Sequence, residues 1–281
     1  MYIPQSVRNI LHIALEEDIG YGDITTKSII PEKKRSKAII ISKGNFIVAG
    51  IPFVQEILHI IDPDTDLRVY YNDGSRVKKR DIIAEINGRA RTILTSERVC
   101  LNILQRLSGI ATMTNAFVEK VKDLNVKIVD TRKTTPGLRF LEKYAVRVGG
   151  GHNHRFGLYD GILIKDNHIE ASGSITKAIE AAKRHNHLSK IEVEVENIND
   201  LKEALKAGAD VVMLDNMTIE DMREAVRLAK GKVILEASGN INLANVKVVA
   251  ETGVDLISVG AITHSAPAVD ISMKIISAHS Q

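Results

Sequence analysis

Between residues 130 and 168 the chain carries DTRKTTPG, GGGHNHRFG and LIKDNH, which gather Arg132, Lys133, Arg139, His152, His154, Arg155 and Lys165 into one stretch. Arginine offers a flat fork for a carboxylate or phosphate, and lysine a mobile point charge. Convergent cations of both kinds suit a polyanionic substrate. Most lysines and arginines are solvated surface charges. What sets Arg132, Lys133 and Lys165 apart is their place at the ends of predicted strands. Arg139, inside a helical segment, and His152, beside a glycine loop, carry the weaker signal.

Glu194 and Asp215 form the acidic counterpart, at the ends of successive predicted strands. Carboxylates without a thiolate or a compact histidine set favour a hard cation such as Mg²⁺ bridging phosphates. They also suit ion pairs with the neighbouring cations. A strand-end lysine, Lys133 or Lys165, has a second reading as a Schiff-base amine. Small residues in EASGN (236–240) and SVGA (258–261) would let a phosphate approach backbone N–H groups. Each glycine alone is weak evidence, because glycine after a strand usually marks a turn.

Other chemistries fall away. The chain has no GxxxxGK[ST] loop, and GGGHNH is not a dinucleotide fingerprint following a strand. One cysteine excludes a cysteine-rich zinc site. His152 and His154 could pair on a metal, but adjacent turn histidines chelate poorly without a third ligand.

The elements that must position these residues follow a rhythm. Apolar runs occur at 127–130, 161–165, 191–195, 210–214, 232–236 and 255–259, separated by amphipathic segments such as SITKAIEAAKRH and INDLKEALKAG. Such alternation implies a parallel sheet with right-handed crossovers, as an open sheet or a barrel. Polar residues close nearly every run, and barrels keep their chemistry at the C-terminal strand ends. In IEVEVEN, Glu192, Glu194 and Glu196 share one face and the valines the other. A polar lumen would explain that pattern better than an open buried sheet.

The first third reads differently. Pro4 to Asp18 has a helical apolar stripe, and Pro52 to Ile61 reads as a second helix. Runs at 37–48, 67–71 and 81–94 read as strands. At Thr95, TSERV supplies a capping hydroxyl and an acidic first turn for a long helix reaching Lys122, with a break near Gly109. The domains expected are 1–110, with the tail from about 267 to 281 packing back on it, and 111–266.

The chain's 281 residues, 44% hydrophobic, are enough to bury a core without disulfides, and Cys100 is its only cysteine. A net charge of +3 with interspersed signs, no tryptophan and few aromatics argue against nucleic acid. Neither a signal peptide nor a membrane span is evident, so a cytoplasmic location is expected.

The motifs SERVCLNILQRLSGIAT, DTRKTTPGLRFLEKYAVRVGGGHNHRFGLYDGILIKDNH, EVEVEN, LDN, EASGN and ETGVDLISVGAITHS together resemble the quinolinate phosphoribosyltransferase family, and EDIGYGDITT and IVAGIPF fit as well. The resemblance spans nearly the whole chain. It implies an N-terminal α/β sandwich and a seven-stranded open α/β barrel, one strand more than the six runs counted, the seventh expected in an earlier segment. It implies a homodimer, with a higher oligomer open, and conversion of quinolinate and phosphoribosyl pyrophosphate to nicotinate mononucleotide, pyrophosphate and CO2 with Mg²⁺. Carried over by motif, Arg98 (from the partner), Arg132, His154, Arg155 and Lys165 would bind the two quinolinate carboxylates, and Thr131 would be a substrate-binding residue beside them. Lys133, Glu194 and Asp215 would be catalytic, handling phosphoribosyl pyrophosphate, with the two carboxylates meeting Mg²⁺ largely through substrate and water. Ser238, Gly239, Asn240, Val259, Gly260 and Ala261 would cradle the 5-phosphate. The rival readings are a paralogous type II phosphoribosyltransferase with another acceptor (one branch is linked to molybdenum metabolism), a Schiff-base barrel lyase, and a binding protein that kept the fold.

Overall fold

A computed structural model describes residues 2–185 and 188–276. The chain divides into two compact units, one of residues 1–113, 135–149 and 266–281, the other of residues 114–134 and 150–265. Among the described residues, no helix is long and apolar enough to cross a membrane.

The first unit opens with α1 (Gln5–Ile19), where Val7, Leu11 and Leu15 are buried at four-residue spacing, and Gly20 ends it at φ 51°. Helix α2 (Ile24–Ile29) follows, capped by the Asp23 side chain on the Thr26 N–H. Strand β1 (Arg35–Ser42) leads to the short β2 (Phe46–Ile47) and to α3 (Ile51–Ile61). The α3 N-terminus is capped from a distance, since Asp73 accepts from the Gly50 and Ile51 N–H groups at 2.8 and 3.0 Å. Strands β3 (Asp66–Val69), β4 (Arg76–Val77) and β5 (Ile82–Arg89) complete the early set. An antiparallel sheet runs in the order of the C-terminal strand Ile271–Ile276, β1, β5 and β3, while β2 pairs with β4. The run 81–94 is therefore only partly strand. The chain turns from β5 into α4 (Ala90–Val121) at Ala90, five residues before the expected start, so Thr95 lies inside the helix rather than capping it.

The expected break at Gly109 does not occur either. A β-carbon there would strike the carbonyl oxygen of Pro267, so the glycine serves a close approach of two backbones. Alanine would gain about 1 kcal/mol of helix propensity. Overpacking against backbone, which cannot swing aside, costs more, typically about 1–3 kcal/mol and occasionally beyond. Gly109→Ala is expected to lower stability by about 1–2 kcal/mol net, seen as a lower calorimetric midpoint; an unchanged or raised midpoint would show that the contact yields.

In the second unit the six apolar runs all form strands: β6 (Lys127–Val129), β7 (Ile162–Ile164), β8 (Ile191–Val195), β9 (Val211–Asp215), β10 (Ile234–Ser238) and β11 (Leu256–Ser258). Between β6 and β7 the chain forms α5 (Arg139–Val148), which belongs to the first unit. The helices α6 (Asp166–Ser172), α7 (Ile175–His185), α8 (Ile198–Ala207), α9 (Ile219–Ala229), α10 (Val246–Ala250) and α11 (Ala261–His264) follow in alternation. The chain's last described strand, Ile271–Ile276, is β12.

The parallel sheet has the order β6-β11-β10-β9-β8-β7. A single parallel bridge, Val129 to His152, sits on the free edge of β6. It is a one-residue remnant at the seventh strand position, and it lies after β6 rather than early in the chain. The sheet curls. Flat, β6 and β8 would stand four spacings of about 4.8 Å apart, yet His154, just past that bridge, lies 2.9 Å from Glu192 on β8. Ile191, Val193 and Val195 are buried on the outer face of β8. Glu192 and Glu194 point to the lumen, as the alternation implied, whereas Glu196 is exposed beyond the strand end.

Candidate active site

A cavity of about 820 Å³ opens at the C-terminal ends of the parallel strands. Every strand of the sheet supplies a wall. Thr131, Arg132 and Lys133 follow β6, Lys165 follows β7, Glu194 lies on β8, and Asp215 ends β9. Ser238 ends β10, with Gly239 and Asn240 next to it, while Ser258, Val259 and Gly260 come from the end of β11 and its exit. His154, Arg155 and Ala261 also line it, so fourteen of the fifteen site residues that the resemblance implied meet at one place. The fifteenth, Arg98, is exposed on α4 and is not part of the cavity wall. Arg139 and His152 do not line it either.

The cations are held in different ways. Lys165 pairs closely with Glu194. Arg155 is tethered by its Nη1 to the carbonyl of Gly161 at 2.9 Å. Burial lowers its pKa, and the neighbouring Arg132 guanidinium adds to that, against the opposing pull of Glu192 and Asp160. The Nε atoms of both arginines are buried without a hydrogen-bond partner. Two guanidiniums close together, each with donor capacity left over, form a site whose repulsion an anion would relieve.

Opposite them, the loops after β9 and β10 are knit by amides. Asn216 donates to Asp215 at 2.9 Å and accepts from Asn240 at 2.9 Å. Both asparagines have left-handed backbones, φ 51° and 52°. Gly239, at φ 94°, could carry no β-carbon without striking the Asn216 side chain. At Gly260 a β-carbon would press on Lys133 and His264, at 3.1 and 3.2 Å. These tight, side-chain-free turns suit a phosphate bound by backbone groups.

Beneath the cations lies a second layer that the sequence reading did not assign. Asp130, fully buried, accepts from the His154 backbone N–H at 2.8 Å and from Asn153 at 2.6 Å. His154 Nδ1 accepts from the Arg155 N–H at 2.8 Å. Nδ1 therefore carries no proton, and the neutral ring keeps its proton on Nε2, which faces Glu192 at 2.9 Å and Glu236 at 3.8 Å. His154, Glu192 and Glu236 are spaced as metal ligands could be. The protonated Nε2 argues against that use, because a metal needs the lone pair there. Exposed His152 takes no part, so the paired-histidine idea does not hold. A signal for Glu236 was present in the sequence. Strand side chains alternate, so a residue two before the lumenal Ser238 must face the same way.

The metal implied by the resemblance fits this donor set only in part. Glu194 and Asp215 both line the cavity and offer carboxylate oxygens. That matches Mg²⁺, which keeps several waters and takes its remaining ligands from substrate phosphates.

Comparison with known proteins agrees along the whole chain. A family model described as "Quinolinate phosphoribosyl transferase, C-terminal domain" matches residues 110–274, and "Quinolinate phosphoribosyl transferase, N-terminal domain" matches residues 23–108. The chain belongs to this family. It is 47% identical over 270 residues to a probable nicotinate-nucleotide pyrophosphorylase (carboxylating) of Bacillus subtilis, covering 96% of this chain and 93% of that one. It is 40% identical over 289 residues to a decarboxylating quinolinate phosphoribosyltransferase of Nicotiana glauca, covering 96% and 82%. The solved structure of the nicotinate-nucleotide pyrophosphorylase from Francisella tularensis superposes with a TM-score of 0.94 at 43% identity, covering 98% of each chain. The family and its α/β architecture are those that the motifs implied.

Proposed function

We infer that the chain is a quinolinate phosphoribosyltransferase, nicotinate-nucleotide pyrophosphorylase (carboxylating), of NAD biosynthesis. Quinolinate and phosphoribosyl pyrophosphate become nicotinate mononucleotide, pyrophosphate and CO2. The observation that carries this reading is one cavity in which an arginine–lysine wall faces two carboxylates and two glycine turns, within a chain of this family.

In this reading Arg132, Arg155 and Lys165 hold the carboxylates of quinolinate and turn the ring nitrogen towards C1 of the ribose. Thr131 and His154 shape that wall. Positioning of this kind replaces an encounter in solution with a held geometry. Ser238, Gly239, Asn240, Val259, Gly260 and Ala261 cradle the 5-phosphate, and Lys133 meets the pyrophosphate. Glu194 and Asp215 stabilise positive charge developing at C1 as pyrophosphate departs. They would also hold Mg²⁺, through substrate and water, and the ion when bound would neutralise charge on the departing pyrophosphate. Lys165, paired with Glu194 in this structure, exchanges that partner for substrate carboxylate. Once the ring nitrogen is quaternised, the pyridinium draws the electrons left by CO2. Arg98, exposed on α4, is left to complete the site of a second copy in a homodimer.

Incubation of the purified protein with quinolinate, phosphoribosyl pyrophosphate and Mg²⁺ should yield nicotinate mononucleotide on chromatography. Omission of Mg²⁺ should abolish the product. Folded protein that makes none would point to a paralogue with a different base acceptor, and a borohydride-trapped adduct to a Schiff-base lyase.

A further inference from the structure

Loss of CO2 from a quaternised pyridine leaves an electron pair on ring carbon C2. Nicotinate mononucleotide carries hydrogen there, so each turnover consumes one proton at that atom. None of the groups assigned above is a suitable acid. Lys165, Arg132 and Arg155 are committed to the substrate carboxylates and Lys133 to the pyrophosphate, and the His154 proton faces the buried glutamates.

Glu236 differs from all of these. It sits in the middle of β10, fully buried, yet its side chain belongs to the cavity wall. Neither carboxylate oxygen has a hydrogen-bond partner. Burial of a carboxyl without partners favours its neutral form. The groups that face it divide. Glu192 on β8 and Asp130 after β6 repel a charge on it, while His154 and the Ser258 hydroxyl on β11 draw the other way. Burial first, and Glu192 second, push Glu236 up to about 7.

We propose that Glu236 is the catalytic acid that protonates C2 of the pyridine ring as CO2 leaves. The proposal rests on the reading of the substrate as quinolinate. Neutral Glu236 first donates a hydrogen bond to the 2-carboxylate. The C2–carboxylate bond breaks, its electron pair stays on C2, and that pair takes the Glu236 proton to form the new C–H bond. Glu236 is left as a carboxylate and regains its proton from solvent water after product release. The bound 2-carboxylate, a fresh negative charge beside Glu236, favours the neutral acid further.

The test is Glu236→Gln, which keeps shape and a donor but has no acidic proton to give. The variant should melt like wild type and bind quinolinate with comparable affinity. Its kcat should fall by ~100-fold, the scale of a positioned acid. In a rapid-quench single turnover it should release pyrophosphate and accumulate the ribosylated ring that still carries both carboxylates. Glu236→Asp should retain part of the rate. In wild type, kcat/KM should decline as pH rises through about 7, because the acid form is lost, and the kcat limb should lie higher. The Gln variant should lack that limb. Wild-type turnover in Glu236→Gln would overturn the proposal, as would loss of activity matched by loss of quinolinate binding with no dicarboxylated intermediate. Should the variant fail to fold, a wild-type profile flat from roughly pH 6 to 9 would overturn it too. Wild type that makes no nicotinate mononucleotide at all would instead sink the substrate reading.

Discussion

Replacing Arg132 by alanine is expected to cut kcat/KM for quinolinate by about 3 kcal/mol of transition-state stabilisation, roughly 150-fold. The Arg132 Nε is buried and unpartnered, and its neighbour Arg155 repels it. A dianionic ring that enters between them supplies the missing acceptors and removes the repulsion, so binding gains from two terms at once. Alanine removes a charge-assisted, potentially bidentate contact in a largely desolvated place, where such contacts are strongest. Arg132→Lys should recover only part of the loss, because a point charge cannot reproduce the planar fork. The KM for phosphoribosyl pyrophosphate should move little, since its phosphates are read by the glycine turns and Lys133. Steady-state kinetics with each substrate varied in turn would check this. An Arg132→Ala protein with wild-type kcat/KM for quinolinate would remove Arg132 from the site.

The strands of the second unit were legible because a strand-end site writes itself into the chain. Each apolar run must be followed at once by the polar residues that face the cavity, so DTRK, KDN, LDN and EASGN mark both the element and its function. Lumenal alternation in IEVEVEN was legible for the same reason. What the sequence did not announce was that Glu192 and Glu236, each legible as lumenal by alternation, would meet Asp130 in one buried layer. Asp130, Glu192 and Glu236 make sense only when β6, β8 and β10 are brought round one lumen, a consequence of sheet curvature that no local window contains. Seen along the chain, Glu236 is one acidic residue closing an apolar run.

The first unit shows the opposite failure. Arg91 to Leu94 reads as strand by its β-branched residues, yet it is helix. Thr92 and Ile93 are buried there, followed by Ser96 and Cys100 at helical spacing. Burial on one helical face outweighs propensities worth a few tenths of a kcal/mol per residue. Gly109 misled in the same way, since its role is the approach of Pro267, more than 150 residues away in sequence.

Glu142 should prove as important to stability as Arg132 is to catalysis. It is fully buried on α5 and accepts from Arg106 Nε and Nη2 at 3.2 and 2.9 Å through one oxygen. Its other oxygen takes the Thr135 N–H at 3.1 Å. Arg106, about a quarter exposed, spends its remaining Nη1 on the carbonyl of Ala266 at 3.0 Å. Glu142→Ala leaves a largely buried guanidinium without its carboxylate and the Thr135 N–H without its acceptor. Breaking such a pair costs about 3–5 kcal/mol, far more than the pair contributes relative to an apolar substitute. The asymmetry gives the test its form. Glu142→Ala should be the least stable variant in denaturant titrations. Arg106→Leu combined with Glu142→Met should regain much of the loss, because no uncompensated charge remains. If Glu142→Ala unfolds within about 1 kcal/mol of wild type, the guanidinium has found water, and the pair is a surface ornament. If the double variant is as unstable as the single one, the cost lies in the Thr135 and Ala266 backbone groups, which the ion pair anchors on either side.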